Sequence, residues 1–142
     1  MHKDIIEIEQ VLYRCCHAVD QGYIDKIISV FHPNANLIIK WEKDGIYSGH
    51  DAIRKWFINY TQIIQSSMKY LRHKITCPMI EVCGNEATAF SYLDVDTATK
   101  DTNQVIITAG RYEDKLVKVE GCWYFKEKVI FVDDTYTYNV LK

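Results

Sequence analysis

Two residues in this 142-residue chain have the type and setting for acid–base chemistry: Asp20 and His73. Ile5, Ile8, Leu12, Cys15 and Val19 follow the three-four spacing of one apolar helix face. Glu9, Tyr13, Cys16 and Asp20 form a second stripe beside it. Asp20 therefore lies next to the buried seam and near the helix C-terminus, where the macrodipole disfavours negative charge. Two readings follow. Either Asp20 caps a second helix starting near Gly22, or its carboxylate is kept there for use. In the run YLRHKITCPM, alternation puts Leu71, His73, Ile75 and Cys77 on one face and Tyr70, Arg72, Lys74 and Thr76 on the other. The first face is apolar, so His73 points inward, as a satisfied core histidine or as a catalyst. Ile80 and Val82 carry the apolar set beyond Pro78, which predicts a bulge or an edge position there.

Other chemistries find little support. The remaining histidines do not pair at metal-ligand spacing, and no HxxxH or HExxH occurs. The six glycines stand apart, so no phosphate loop is expected, and there is no GxSxG elbow. Five cysteines form an odd set without CxxC spacing. Four of them fall in predicted helix or strand interiors, where cysteine acts as a small hydrophobe. A reduced, cytoplasmic protein without cofactor or metal is the expectation. With a net charge of -2 and scattered basic residues, no nucleic-acid partner is expected. The chain opens directly on a helix pattern, which predicts no signal peptide. No apolar run approaches membrane-spanning length.

The elements that must position the pair can be read from periodicity. The first helix is followed by a short second one, with Ile24, Ile27, Ile28 and Phe31 on its face, ended by His32-Pro33. Leu37, Ile39 and Trp41 mark a short strand, and a turn at Lys43-Asp44-Gly45 leads into a second piece at Ile46 and Tyr47. A third helix opens at Ser48 to Asp51 and carries Ile53, Trp56, Phe57, Tyr60, Ile63 and Ile64. From Met68 the period becomes two, with long segments over 69–82, 86–97, 104–119 and 122–135 joined by short breaks, hence antiparallel neighbours. Trp123, Phe125, Val129 and Phe131 are read as the inward face of the last strand. Lys126 and Lys128 oppose them, and Glu127 is either a partner for Arg111 or an exposed position. The chain is expected to be a single α+β domain over 1–142, with three N-terminal helices on one face of a curved, mainly antiparallel sheet.

The ordered set AVDQG (18–22), FHPNA (31–35), GHDAI (49–53), Arg72-His73, GRYED (110–114) and GCWYF (121–125) resembles the SnoaL-like branch of the NTF2-like superfamily. The resemblance implies a cone-shaped barrel around a cavity. It also implies one of several activities, since this fold serves dehydratases, isomerases, polyketide cyclases, small subunits of ring-hydroxylating oxygenases and plain binders. In scytalone dehydratase and bile-acid dehydratase relatives, an aspartate late in the first helix faces a histidine on the first long strand; Asp20 and His73 match those positions. Those relatives carry a tyrosine five residues before the aspartate, where this chain has Cys15. Tyr13 is the first substitute, with Tyr47, Tyr92 and Tyr112 as others.

On this resemblance the expected activity is a cofactor-independent lyase or isomerase acting on an apolar cyclic carbonyl compound. His73 is the base, Asp20 holds its tautomer, and Tyr13 donates to the developing oxyanion. Cys16, Trp41, Trp56, Phe57, Tyr92, Tyr112 and Arg111 are the expected substrate-binding residues. The alternative is a non-catalytic module that binds an apolar small molecule. A homodimer formed through the open sheet face is also implied, with Tyr124, Ile130 and Val132 at the interface.

Overall fold

The last turn of the first helix sets where Asp20 sits. In the computed structural model, which describes residues 2–138, α1 spans His2–Gln21. Gly22, at φ +69°, ends it by donating its N–H to the Val19 carbonyl while the Tyr23 N–H reaches back to Ala18, a paired closure of the helix carbonyls. A Cβ there would also come within 2.7 Å of the Gln65 amide and 2.9 Å of the Thr61 methyl, so a larger residue would have to push these side chains aside. The face predicted for α1 is buried at Ile8, Leu12, Cys15 and Val19, joined by Val11, Cys16 and Ala18.

Two short elements follow, α2 (Ile24–Ser29) and β1 (Phe31–Ile39). The strand begins earlier than its apolar alternation suggests. Phe31 belongs to β1 rather than to α2, and His32-Pro33 lies inside the strand, where proline is tolerated because the β1 pairing is irregular between Phe31 and Asn36. Trp41 is in the turn beyond β1, not in the strand. Then come β2 (Ile46–Ser48), α3 (Gly49–Ser67) and four long strands: β3 (Met68–Cys83), β4 (Glu86–Thr99), β5 (Val105–Val119) and β6 (Cys122–Tyr138).

The strand order is β2-β1-β6-β5-β4-β3. Neighbours are antiparallel except β1 and β6, which are parallel. The sheet does not close on itself, so the expected barrel is an open cone with β2 and β3 as its edges. α1 packs over β3 and α3 over β1, and the core lies between the helices and the concave face. Met1 and residues 139–142 of the expected single domain lie outside the described residues.

Bulges bend the sheet and decide which side chains face inward. In β3 the register slips between Thr76 and Met79, as the alternation around Pro78 predicts. Cys77 sits on that bulge at φ +52° and is exposed, not part of the inward set. In β6 two residues are extra. Lys115 pairs with Glu127 while Leu116 pairs with Phe125, which leaves Lys126 unmatched; Ala109 pairs with Asp134 while Gly110 pairs with Val132, which leaves Asp133 unmatched. Each extra residue reverses the parity. The inward positions of β6 are therefore Trp123 and Phe125, then Lys128, Ile130 and Val132, then Thr135. This corrects the expectation that Val129 and Phe131 continue the inward face and that Lys128 opposes it. It also removes Ile130 and Val132 from the outer surface, where a subunit contact was expected. Glu127 pairs with Lys115, and Arg111 with Asp133.

Candidate active site

Between the helices and the sheet is a cavity of about 400 Å³, walled mainly by apolar side chains of α1, α3 and β3–β6. His73 lies on its wall, with its side chain 8 % exposed. Asp20 binds His73 twice. One carboxylate oxygen is 2.6 Å from the ring Nδ1, and the two oxygens accept from the His73 main-chain N–H at 2.9 and 3.1 Å. These bonds offset the unfavourable position of a carboxylate at a helix C-terminus. They also select the tautomer: with Nδ1–H donating to the carboxylate, Nε2 carries the lone pair. Among the described residues Nε2 has no hydrogen-bond partner, so it is free to act as a base. The capping reading of Asp20 does not hold, since the N-cap of α2 is Tyr23 and has no side-chain capping bond.

An aromatic row on α3 leads toward the pair. Tyr60 meets the His73 ring edge-on, with centroids 6.3 Å apart, and stacks on Trp56 at 5.3 Å. Trp56 in turn meets Trp41 at 6.4 Å and Phe57 at 5.0 Å. The Trp56 indole N–H donates to Glu42, which also accepts from the Tyr47 hydroxyl, so the turn beyond β1 is fastened to α3. Trp41 is 52 % exposed and stands at the rim of the cavity. Tyr60 lines the wall and has no hydrogen-bond partner among the described residues. Burial first, and the Asp20 charge second, push its hydroxyl well above the usual tyrosine range. Tyr60 is thus a neutral phenol with a proton to donate. Sequence reading missed it because its helical spacing made it part of the α3 core face; an unpartnered hydroxyl is visible only in three dimensions.

The structure gathers some of the expected residues and disperses others. Cys16, Trp41, Trp56, Phe57 and Tyr112 line the cavity with His73. Tyr13 is half-buried against the core and does not line the cavity. Tyr92 is 64 % exposed on the outer sheet face, because its neighbour Leu93 is the inward residue of β4. Arg111 also lies outside, bonded to Asp133 at 2.9 Å and stacked over Phe131. Burial pushes the Cys15 thiol up to about 11 and the Cys16 thiol up to about 12, so both are neutral and poor nucleophiles. Among the described residues, no group of three or more His, Cys, Asp and Glu side chains is placed to hold a metal ion. None of the described helices is long and apolar enough to cross a membrane.

Helices packed over a bent, open six-stranded sheet, with an apolar hollow between them, define a domain of NTF2-like fold. The SnoaL-like domain profile matches residues 2–129, and the chain belongs to that family. Similar solved structures include a candidate aromatic ring hydroxylase from Novosphingobium aromaticivorans, 22 % identical, with a TM-score of 0.82 over 97 % of this chain and 95 % of that one. A candidate scytalone dehydratase from the same organism is 21 % identical, with a TM-score of 0.81 over 97 % and 89 % of the two chains. A hexachlorocyclohexane dehydrochlorinase from Novosphingobium barchaimii is 14 % identical, with a TM-score of 0.79 over 99 % and 95 %. At these identities the likeness is one of fold. No curated protein matches the sequence significantly.

Proposed function

We propose that the protein is a cofactor-independent lyase or isomerase that removes a proton from carbon in an apolar cyclic substrate. The observation that supports this most is the bond from Asp20 to His73 Nδ1, which leaves Nε2 unpartnered on the cavity wall. His73 Nε2 takes the proton, and the C–H electron pair forms a new C=C bond. In an elimination the leaving group departs as that bond forms, and the imidazolium returns the proton to it. In an isomerisation the proton returns to a different carbon. Asp20 stabilises the imidazolium, the usual part of a carboxylate behind a histidine base. Tyr60 takes the donor role expected of Tyr13, with its phenol beside the His73 ring and aimed at charge developing on oxygen. Dehydratase and dehydrochlorinase neighbours fit a proton-abstracting elimination of this kind.

The substrate class is proposed from the wall. Trp56, Phe57, Leu93 and Val95 offer apolar and aromatic surface with few polar handles, which suits a ring system carrying one carbonyl or leaving group. A generic test uses 5-nitrobenzisoxazole, which opens to a coloured phenolate when a base removes its ring proton. Turnover by the wild type and its loss in His73→Ala, with the melting temperature kept within a few degrees, is the expected result. Scytalone and hexachlorocyclohexane can be tried beside it.

A binding module with the same cavity is the second reading, favoured by Cys15 standing where the dehydratase relatives carry tyrosine. A thermal-shift panel of sterols, aromatic polyketides and fatty acids separates the two. A stabilising ligand recovered unchanged after long incubation selects binding; a changed product selects catalysis. A homodimer is proposed through the outer sheet face, where Met79 and Phe90 pair across β3 and β4 and Tyr92 lies nearby, all exposed. Light scattering on wild type and Phe90→Lys tests it.

A further inference from the structure

The wall opposite the aromatic row holds a charge that the proposed reaction does not yet use. Lys128 lines the cavity although its side chain is only 3 % exposed, and Asp114 behind it has no exposure at all. The Lys128 Nζ lies 3.2 and 3.3 Å from the two Asp114 oxygens, long contacts shared by one carboxylate. It also sits 3.5 Å from the centroid of the Tyr112 ring and 4.5 Å from that of Phe125. An ammonium carries three N–H donors. Among the described residues Asp114 is the only hydrogen-bond acceptor for them. Tyr112 lines the same wall, and its hydroxyl has no hydrogen-bond partner among the described residues.

We propose that Lys128, with the Tyr112 hydroxyl, is an anion-recognition subsite, so that the natural ligand is an apolar ring compound bearing one ionised oxygen, a carboxylate or an acidic enol or phenol. This deepens the proposed function and rests on reading the cavity as a ligand site. With a purely apolar guest the ammonium of Lys128 has only the long Asp114 contacts and the Tyr112 and Phe125 ring faces, whereas an oxyanion adds charge-assisted bonds to its remaining donors. Asp114 keeps the ammonium in place without reaching the cavity itself, as it is absent from the wall. Burial pushes the Asp114 carboxyl up to about 6, which leaves it ionised beside Lys128 at neutral pH. Burial also keeps Tyr112 a neutral donor. The parity reversal at Lys126 is what delivers Lys128 to this position.

The test compares two probes of one shape: 2-naphthoate, which is charged, and 2-acetylnaphthalene, which is neutral. Binding is read at pH 8 by quenching of Trp41 and Trp56 in the wild type, in Lys128→Met and in the double variant Lys128→Met/Asp114→Asn, which avoids a buried unpaired carboxylate. The expected result is that the wild type prefers the acid by about tenfold or more, and that the variants lose this preference while keeping their affinity for the ketone. If Lys128→Met alone does not fold, the double variant decides. Equal binding of acid and ketone by the wild type overturns the subsite and leaves the cavity reading standing. A preference for acid that survives in the variants overturns it too, since the charge would then be read elsewhere. Binding of neither probe overturns the subsite together with the cavity reading.

Discussion

Asp20 grips a single residue at two points, His73 by its main-chain N–H and by its imidazole Nδ1, the latter at 2.6 Å. The main-chain bond fixes the carboxylate relative to the strand, and the side-chain bond fixes the ring relative to the carboxylate. Imidazole orientation is therefore set by two short links, with no mobile side chain between helix and sheet.

Replacing Asp20 with Asn keeps the shape but offers an amide in place of the charge, so the Nδ1 tautomer is no longer selected and the imidazolium loses its counterion. Turnover of 5-nitrobenzisoxazole should fall about 100-fold or more, with little change in KM. An Asp20→Asn variant as fast as wild type would remove the pair from the mechanism.

Tyr60→Phe removes one hydroxyl that has no protein partner, so folding stability should change little. A substrate that develops charge on oxygen should lose about 10- to 100-fold in kcat, while melting temperature stays within about 2 °C. Unchanged kcat with such a substrate would leave Tyr60 as wall only.

The thiols give a check on burial that needs no ligand. With their pKa values raised, Cys15 and Cys16 hold almost no thiolate at pH 8, whereas Cys77, Cys83 and Cys122 are exposed. Iodoacetamide at that pH should label Cys77, Cys83 and Cys122 quickly in the native protein and reach Cys15 and Cys16 only after unfolding. Peptide mapping reads the sites, and early labelling of Cys16 would contradict a closed α1 interface.

Asp114 gives a pH dependence with a definite sign. Its carboxyl is raised by burial from 3.8 to about 6, with Lys128 opposing the shift. The folded protein therefore binds this proton more tightly than the unfolded chain does. Its contribution to stability is fully present below about pH 4 and is lost as pH rises through about 6. The groups facing it, Lys128, Cys15, Cys16 and Tyr112, do not change the sign. Urea unfolding of wild type and Asp114→Asn at several pH values should show the wild type's margin over the variant shrinking across that window. A margin that grows with pH would mean that the carboxylate gains more from Lys128 than burial takes away.

Much of this was readable in the residues, and two of the failures, Lys128 and Tyr92, share a cause in strand parity. The α1 stripe, most of the α3 face, the change of period at Met68 and the inward turn of His73 follow from spacing, because each lies in regular structure; Ile63, read as part of the α3 face, is 57 % exposed. Lys128 could not be placed, because alternation counted from Trp123 assumes an unbroken ladder and Lys126 interrupts it. The outward turn of Tyr92 was likewise a question of strand parity. Tyr13 failed differently: it was offered in place of Cys15, and two positions along a helix turn a side chain by about 200°, so its ring does not line the cavity that Cys15 lines. Trp41 reached the cavity by way of a turn that alternation had assigned to a strand.

The parallel pairing of β1 with β6 carries a consequence for biosynthesis. Phe31, Leu37 and Ile39, laid down early, find their main sheet neighbour only in the final strand, whose Phe125 packs 5.3 Å from the Phe31 ring. A nascent chain halted before that strand emerges from the ribosome must hold Phe31, Leu37 and Ile39 without their sheet partner, an invitation to chaperones. Ending the gene before Cys122, so that β6 is lost, should therefore cost most of the soluble protein.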